Sequence, residues 1–282
     1  MTSALHASYY ADCAVQRTVE ILENVCLARD TYRVRFACAE IAQAIVPGQF
    51  LMLRLADTND PLIGRPLALY NVIGDMLDVV YLVKGKFTSR LKDARVGDRL
   101  TVWGPLGNGF SAAPVEHLVM VAGGIGQTPF LVLAQEFLGQ RVFGNRQIPP
   151  AQKVTLCYGA RSADLLAGVE DFERTGIDVR IATDDGTRGH HGLVTDLLKQ
   201  VLSEASGTTR VVVCGPEPMM AAVSRIAEDF RVPCQVSLET PMACGIGICF
   251  TCVAKVRDAD GSWDYKRTCV EGPVFEASQI EW

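Results

Sequence analysis

The residues best suited to chemistry lie near the C-terminus: Cys244, Cys249, Cys252 and, after sixteen further residues, Cys269. The spacing C-x4-C-x2-C followed by a distant fourth thiol is the ligand run of a plant-type [2Fe–2S] cluster. Two irons bridged by sulfide need four converging thiolates, so three of the ligands must come from one tight loop. Gly245 and Gly247, between the first two cysteines, can take φ > 0 and turn backbone N–H groups toward sulfur. The return to the fourth ligand falls to a hairpin pattern, Val253–Val256, Asp260-Gly261 and Trp263–Tyr265. Structural zinc favours two separated knuckles or a Cys/His mixture, and no His stands near these cysteines. The first residues show no basic segment leading into an apolar one, so the chain reads as cytoplasmic, with reduced thiols rather than disulfides.

A length of 282 residues suggests two domains, with the cluster loop as an appendage. Apolar content of 49% beside 21% charged residues is that of a globular protein, and no apolar run approaches a membrane span. A net charge of -5 argues against nucleic acid as a partner. Outside the cluster motif, Cys13, Cys26, Cys38, Cys157 and Cys234 read as small buried hydrophobes or incidental thiols. His6, His117, His190 and His191 have no metal-ligand spacing with any carboxylate pair and read as surface or cofactor-adjacent groups.

The elements that must position the cluster fall into two sets. After a polar tail at residues 1–14, read as loose, come six short β-rich runs: Val19–Val25, Tyr32–Ala37, Gln49–Leu55, Pro66–Val72, Leu77–Val83 and Arg99–Trp103. Turn signals such as Pro47-Gly48 and Gly97-Asp98 separate them, and without intervening helices they predict a small antiparallel barrel over residues 15–112. Two stretches within it offer polar donors. Arg65-Pro66-Leu67-Ala68 sets an arginine beside a proline of fixed φ, and Gly85-Lys86-Phe87-Thr88 offers a glycine turn with a hydroxyl. Together they could clamp a pyrophosphate. The spacing alone better fits a plain edge strand followed by a turn.

From about Ala113 the pattern changes to continuous apolar runs at Leu118–Ala122, Val154–Tyr158, Val179–Thr183 and Val211–Cys214, with room for a helix between each. They predict a doubly wound parallel sheet over residues 113–232, leaving 233–282 as the cluster subdomain. The first run feeds Gly123-Gly124-Ile125-Gly126-Gln127-Thr128-Pro129 and then a helical Phe130–Leu138. Glycines in such a turn let the backbone approach a pyrophosphate at a helix N-terminus. It departs from the usual dinucleotide fingerprint, because Pro129 replaces the third glycine and no acid lies between Phe137 and Ala163. The last run ends in Cys214-Gly215-Pro216-Glu217-Pro218, which by itself is a strand end, a turn and a helix start.

Arg65-Pro66 with its glycine turn, Gly104-Pro105-Leu106-Gly107-Asn108-Gly109-Phe110 and the G-x-G-x-x-P turn together resemble the ferredoxin–NADP reductase superfamily. The resemblance implies FAD on the barrel, with Arg65 on its phosphates and Pro66, Leu67 and Ala68 along the flavin. Gly85, Lys86 and Thr88 would complete the clamp. It further implies NAD at Gly124, Gly126 and Thr128, with Gly215 and Pro216 holding a loop against the nicotinamide. Cys214 would stand near the carbon that gives up hydride, as a positional group without nucleophilic duty. The superfamily usually has Ser or Thr where this chain has Ala68, so any hydrogen bond there must come from backbone or water.

Adding the cluster motif, Lys266-Arg267-Thr268-Cys269-Val270-Glu271-Gly272-Pro273 and Asp184-Asp185-Gly186 narrows the resemblance over residues 15–276 to electron-transfer subunits of NAD-linked dihydroorotate dehydrogenase. That implies a partner subunit carrying FMN, which oxidises dihydroorotate, and a two-plus-two heterotetramer. Electrons would pass through the cluster to FAD and then to NAD. A cluster handles one electron and NAD takes hydride, so a flavin, which can do both, belongs between them. Arg161 and Ser162 could receive a 2′-phosphate, but Asp164 would repel it, and NAD is expected over NADP. Two other readings stand beside this one. The first is a subunit of the same build in a sulfide dehydrogenase, hydrogenase or transhydrogenase complex; the second is an iron–sulfur sensor whose flavin site has decayed, for which Ala68 speaks.

Overall fold

The computed structural model describes residues 13–258 and 260–282. Most of the expected tail, and His6 with it, lies outside the described residues. The first unit is a closed six-stranded barrel of β1 (Val15–Ala28), β2 (Thr31–Ala37), β3 (Phe50–Leu55), β4 (Arg65–Ile73), β5 (Met76–Leu82) and β6 (Arg99–Leu106), ordered β1-β2-β5-β4-β3-β6. All its pairings are antiparallel. Alternation drives it: Val34 and Phe36 of β2, Leu77 and Val79 of β5, and Leu100 and Val102 of β6 all point into one buried core. Each such side chain contributes about 1.5–3 kcal/mol by leaving water.

Two helices that the sequence reading leaves out interrupt the barrel strands: α1 (Ala39–Ala44) and α2 (Lys86–Asp93). The second corrects the reading of Val83–Ser89 as a turn. Phe87 and Leu91, one helical turn apart, both plug the barrel core. The Thr88 hydroxyl accepts the backbone N–H groups of Lys84 and Gly85, which fixes the helix start. Eight residues are too few for a helical period to show beside a glycine.

The second unit is a seven-stranded sheet of β7 (His117–Gly123), β8 (Lys153–Ala160), β9 (Asp178–Thr183), β10 (His190–His191), β11 (Thr209–Cys214), β12 (Cys234–Ser237) and, from the C-terminus, β15 (Val274–Glu276). The order is β10-β9-β8-β7-β11-β12-β15, parallel except for the last pairing. Helices α3 (Phe130–Phe137) and α4 (Val169–Thr175) cover the face of Leu118, Met120 and Ala122. Helices α5 (Val194–Glu204) and α6 (Glu217–Asp229) cover that of Val119 and Val121. Burial of both faces is why β7 and β11 read as unbroken apolar runs. No described helix is long and apolar enough to cross a membrane.

Strands β12 and β15, which the boundary at residue 233 leaves with the cluster subdomain, pair into this sheet instead. Gln235 and Ser237 alternate with Cys234 and Val236, so no continuous apolar run announces β12. His117 is neither on the surface nor beside a cofactor groove. It is buried at the start of β7, the end of the strand away from the glycine turn, and its Nε2 lies 2.9 Å from the Thr155 hydroxyl. Burial first, and then Lys153, lowers its pKa, so it stays neutral. Between β12 and β15 the chain leaves the sheet to form the cysteine loop and a hairpin of β13 (Val253–Arg257) and β14 (Trp263–Arg267).

Candidate functional site

The cysteine loop sits directly on the barrel. Gly245 has φ +74°, and a methyl group on it would stand 2.6 Å from Met52 Cγ, so both its conformation and its space demand glycine. Phe50, Met52 and Leu106 of the barrel form one buried cluster with Cys252, Cys269 and Val270, and Trp103 and Ile246 pack against it. The indole N–H of Trp103 donates to the Cys244 carbonyl at 3.0 Å. From the hairpin, Arg267 donates to the Gly247 carbonyl at 3.1 Å and to Glu271 at 3.3 Å, and its guanidinium lies 5.2 Å from the centre of the Phe250 ring.

The four thiols gather in this part of the chain. The Cys252 and Cys269 sulfurs are 3.1 Å apart, and hydrogen bonds from Thr251 and then Cys244 act on Cys249. Thr251 lies 3.1 Å from the Cys249 sulfur and pulls that thiol down to about 6, while the Ile246 N–H points at Cys244 Sγ at 3.4 Å. Cys252 is lowered to about 6 by its bond with Cys269, whose own pKa is raised because it keeps the shared proton. Thiolates are the metal-binding form. Among the described residues no three of His, Cys, Asp or Glu close on a single ion. Four thiols near one another, with no three ligands closing on a single ion, fit a binuclear cluster better than one zinc.

The proposed flavin groove runs beside β4. Arg65, Pro66, Leu67 and Ala68 are all partly exposed and pair with Leu53, Met52, Leu51 and Phe50 of β3. The Arg65 guanidinium donates to the Ile63 and Gly64 carbonyls at 3.0 Å and meets no carboxylate among the described residues, which leaves its charge open to an anion. Asp60 draws the preceding loop to the start of α2, through Lys86 at 2.6 Å and Arg90 at 3.0 Å. Lys86 thereby lies beside the loop that leads into Arg65. Its side chain is paired with Asp60, and the Thr88 hydroxyl is held by the helix start.

The glycine turn and the Cys214 loop are nested at the C-terminal ends of β7 and β11. A methyl on Gly126 would lie 2.2 Å from the Cys214 carbonyl oxygen, and one on Gly123 would lie 2.8 Å from Pro216 Cδ and 2.6 Å from Met219 Sδ. Gly124 has open space but φ +54°, so there the conformation requires glycine. Cys214 is partly exposed by area, although its sulfur is enclosed. Burial pushes that thiol up to about 12, which keeps it neutral and agrees with a positional rather than nucleophilic part. Thr128 is buried, and Gln127 beside it is fully buried with both amide atoms lacking a protein partner. A buried amide needs partners, so this turn holds unused hydrogen-bonding capacity of the kind a bound dinucleotide or its water can take up.

Several contacts that hold the site together escape sequence reasoning. Asn108 threads the modules: its side chain accepts from the Val274 N–H at 2.9 Å and donates to the Val274 carbonyl at 2.8 Å. Tyr70 of β4 donates to Asp171 of α4 at 2.6 Å, and burial first raises its pKa well above the usual phenol value. The Arg29 guanidinium, after β1, reaches Asp164 at 2.9 Å, beyond the end of β8. Ser162 also donates to Asp164, at 2.5 Å. None of these partners is near in sequence to the residue it serves except Ser162, and no local spacing could have announced them.

Comparison with known proteins follows the same division. Residues 239–281 match the family model described as the iron–sulfur cluster binding domain of dihydroorotate dehydrogenase B, and residues 120–225 match the oxidoreductase NAD-binding domain. The chain is 36% identical over 266 residues to the dihydroorotate dehydrogenase B (NAD(+)) electron transfer subunit of Desulforamulus reducens, covering 93% of this chain and 97% of that one. It is 34% identical over 260 residues to the corresponding protein of Caldanaerobacter subterraneus, covering 92% and 96%. Among solved structures, an NADH-dependent reduced ferredoxin-NADP oxidoreductase studied for flavin-based electron bifurcation superposes with a TM-score of 0.79. It is 28% identical, over 94% of this chain and 90% of that one. With a thiol quartet seated on a flavin-type barrel and relatives that match it from end to end, the chain belongs to the family of dihydroorotate dehydrogenase B electron transfer subunits.

Proposed function

We propose that the chain relays electrons between a [2Fe–2S] cluster at Cys244, Cys249, Cys252 and Cys269, an FAD beside β4, and NAD over the nested Gly126 and Cys214 loops. It does so for an FMN-containing catalytic subunit that oxidises dihydroorotate, in the cytoplasm and in a two-plus-two heterotetramer. One observation carries this reading: the thiol loop rests on Met52 of β3, whose backbone pairs with Pro66 of the flavin strand. When bound, the three groups change one-electron transfer at the cluster into hydride transfer to NAD, with the flavin serving both.

The residues divide the work. Arg65 supplies an unneutralised guanidinium to the flavin phosphates, and the N–H groups at the start of α2 add the helix dipole. The Gly126 contact closes the dinucleotide turn onto Cys214, and the neutral thiol gives the nicotinamide an apolar wall. Ile248 (66% exposed) and Phe250 (62%) leave an apolar rim around the thiols, whereas Ile246 is turned onto the barrel. An apolar rim of this kind is a docking face.

Co-expression with a candidate catalytic subunit tests the reading. The expected outcome is co-elution of the two chains on size exclusion and dihydroorotate-dependent NAD+ reduction by the pair alone, the single chain oxidising NADH only with artificial acceptors. Turnover of dihydroorotate by the single chain, or failure to associate, overturns the subunit assignment. The likeness to the bifurcating oxidoreductase favours a second reading, a same-build subunit of a transhydrogenase-type complex. A pair that associates and reduces NAD+ without dihydroorotate, from reduced ferredoxin, decides for it.

A further inference from the structure

Trp103 lies outside every motif, yet its ring joins the two cofactor sites. At one end its N–H donates to the carbonyl of Cys244, the first thiol of the loop. At the other its ring edge packs so closely on Gly64 that a methyl there would stand 2.6 Å from Trp103 Cη2. Gly64 has no positive φ, so its need for glycine comes from space, first from the indole at 2.6 Å and then from the Leu53 carbonyl at 3.0 Å, and the next residue is Arg65. In register, Trp103 faces Met52 on β3, and Met52 faces Pro66 on β4. The indole is therefore wedged between the loop that carries the thiols and the start of the proposed flavin strand.

We propose that Trp103 is a positioning residue of the cluster, which sets its reduction potential through the Cys244 peptide and fixes the height of the loop above the flavin strand. This rests on the reading of the four thiols as cluster ligands. A donor on the Cys244 carbonyl draws electron density from that peptide, and hydrogen bonds polarise one another along a chain. The positive end of the indole N–H dipole also faces the loop. Both effects favour the more negative, reduced cluster, and hydrogen bonding around the sulfurs is one of the controls on cluster potential. A purely structural tryptophan would fill the space under the loop and leave the potential to the cysteines.

The test uses the full chain with its cofactors. Trp103→Phe keeps most of the ring and deletes the N–H. The expected result is iron, sulfide and FAD contents equal to the unmodified protein, with the cluster midpoint, followed by electron paramagnetic resonance in a redox titration, moved to lower potential. A second measurement keeps the indole and changes one ring substituent: 5-fluorotryptophan makes the N–H a stronger donor and should move the midpoint up. It is read in a Trp263→Phe, Trp282→Phe background, both of these being surface residues. An unmoved midpoint in Trp103→Phe overturns the proposal. Should that variant lose its iron, the fluorinated protein decides, and an unmoved midpoint there overturns it. The cluster reading has its own control in Cys249→Ser, which should lose iron and sulfide while keeping FAD; if iron stays, that reading fails independently of Trp103.

Discussion

Arg65 and Ala68 stand three positions apart on one strand and make opposite demands on a flavin. The arginine has no carboxylate partner among the described residues, so its charge is available, and losing a charge-assisted phosphate contact costs on the order of 1.5–3 kcal/mol. Ala68 offers no side-chain hydrogen bond that a mutation could remove. Arg65→Ala should therefore lower FAD occupancy of the purified protein by tenfold or more, while Ala68→Ser leaves it unchanged; equal retention in the two variants removes Arg65 from the phosphate site. The cysteine quartet was legible at this scale because three of its members fall within the nine residues Cys244–Cys252 and their spacing is a ligand pattern in itself. Lys86 and Thr88 were not, since Asp60 and the helix start claim their side chains, and neither partner is announced by the G-K-F-T sequence.

Among the elements, the inner strands β8 and β12 carry buried thiols. Burial pushes Cys157 and Cys234 up to about 12, whereas a thiol in the unfolded chain titrates near 8.5. Below about pH 8.5 both states keep the proton and stability is whole. Above it the unfolded chain releases protons that the fold retains, and stability falls as pH rises toward 12, by about 1.4 kcal/mol per pH unit for each thiol. The urea midpoint of the protein should hold between pH 7 and 8 and fall steeply from pH 9 to 11, and replacing both cysteines by Ala should flatten that slope. A slope unaltered by the double replacement would assign alkaline sensitivity to other groups. Strand identity was readable from apolar runs wherever both faces are buried. It failed for β12, where alternate residues are polar, for β15, which is only three residues long, and for α2, where a short helix of about two turns plugs the barrel.

At the scale of the molecule the barrel reaches the end of β8. Asp164, past that end, is gripped by Arg29 of the barrel and by the Ser162 hydroxyl, so one of the two groups that could greet a 2′-phosphate, Ser162, is tied to a carboxylate. An acid after the second strand is also where a ribose hydroxyl is normally read. Asp164→Ala removes the repulsion and frees Arg29, and kcat/KM for NADPH with an artificial acceptor should rise on the order of tenfold, equivalent to about 1.4 kcal/mol, while that for NADH falls. An unchanged ratio places the selection elsewhere. Architecture was open to the sequence because barrel, parallel sheet and thiol loop each have their own periodicity. The seams were closed to it: Tyr70 to Asp171, Asn108 to Val274 and Trp103 to Cys244 join residues 101, 166 and 141 positions apart.

One of those seams also bears on how the chain is put together. The cysteine loop and its hairpin leave the sheet at the end of β12 and return to the same edge as β15, and the Leu238 N–H meets the Pro273 carbonyl at 2.9 Å. The excursion begins and ends one hydrogen bond apart. Topologically the iron-binding part is an insertion in a hairpin between neighbouring strands, so a single splice can add it to, or remove it from, a flavin reductase whose sheet already has both strands in place. Its anchoring to the barrel through Met52 and Leu106 is what turns a tethered appendage into a wired one.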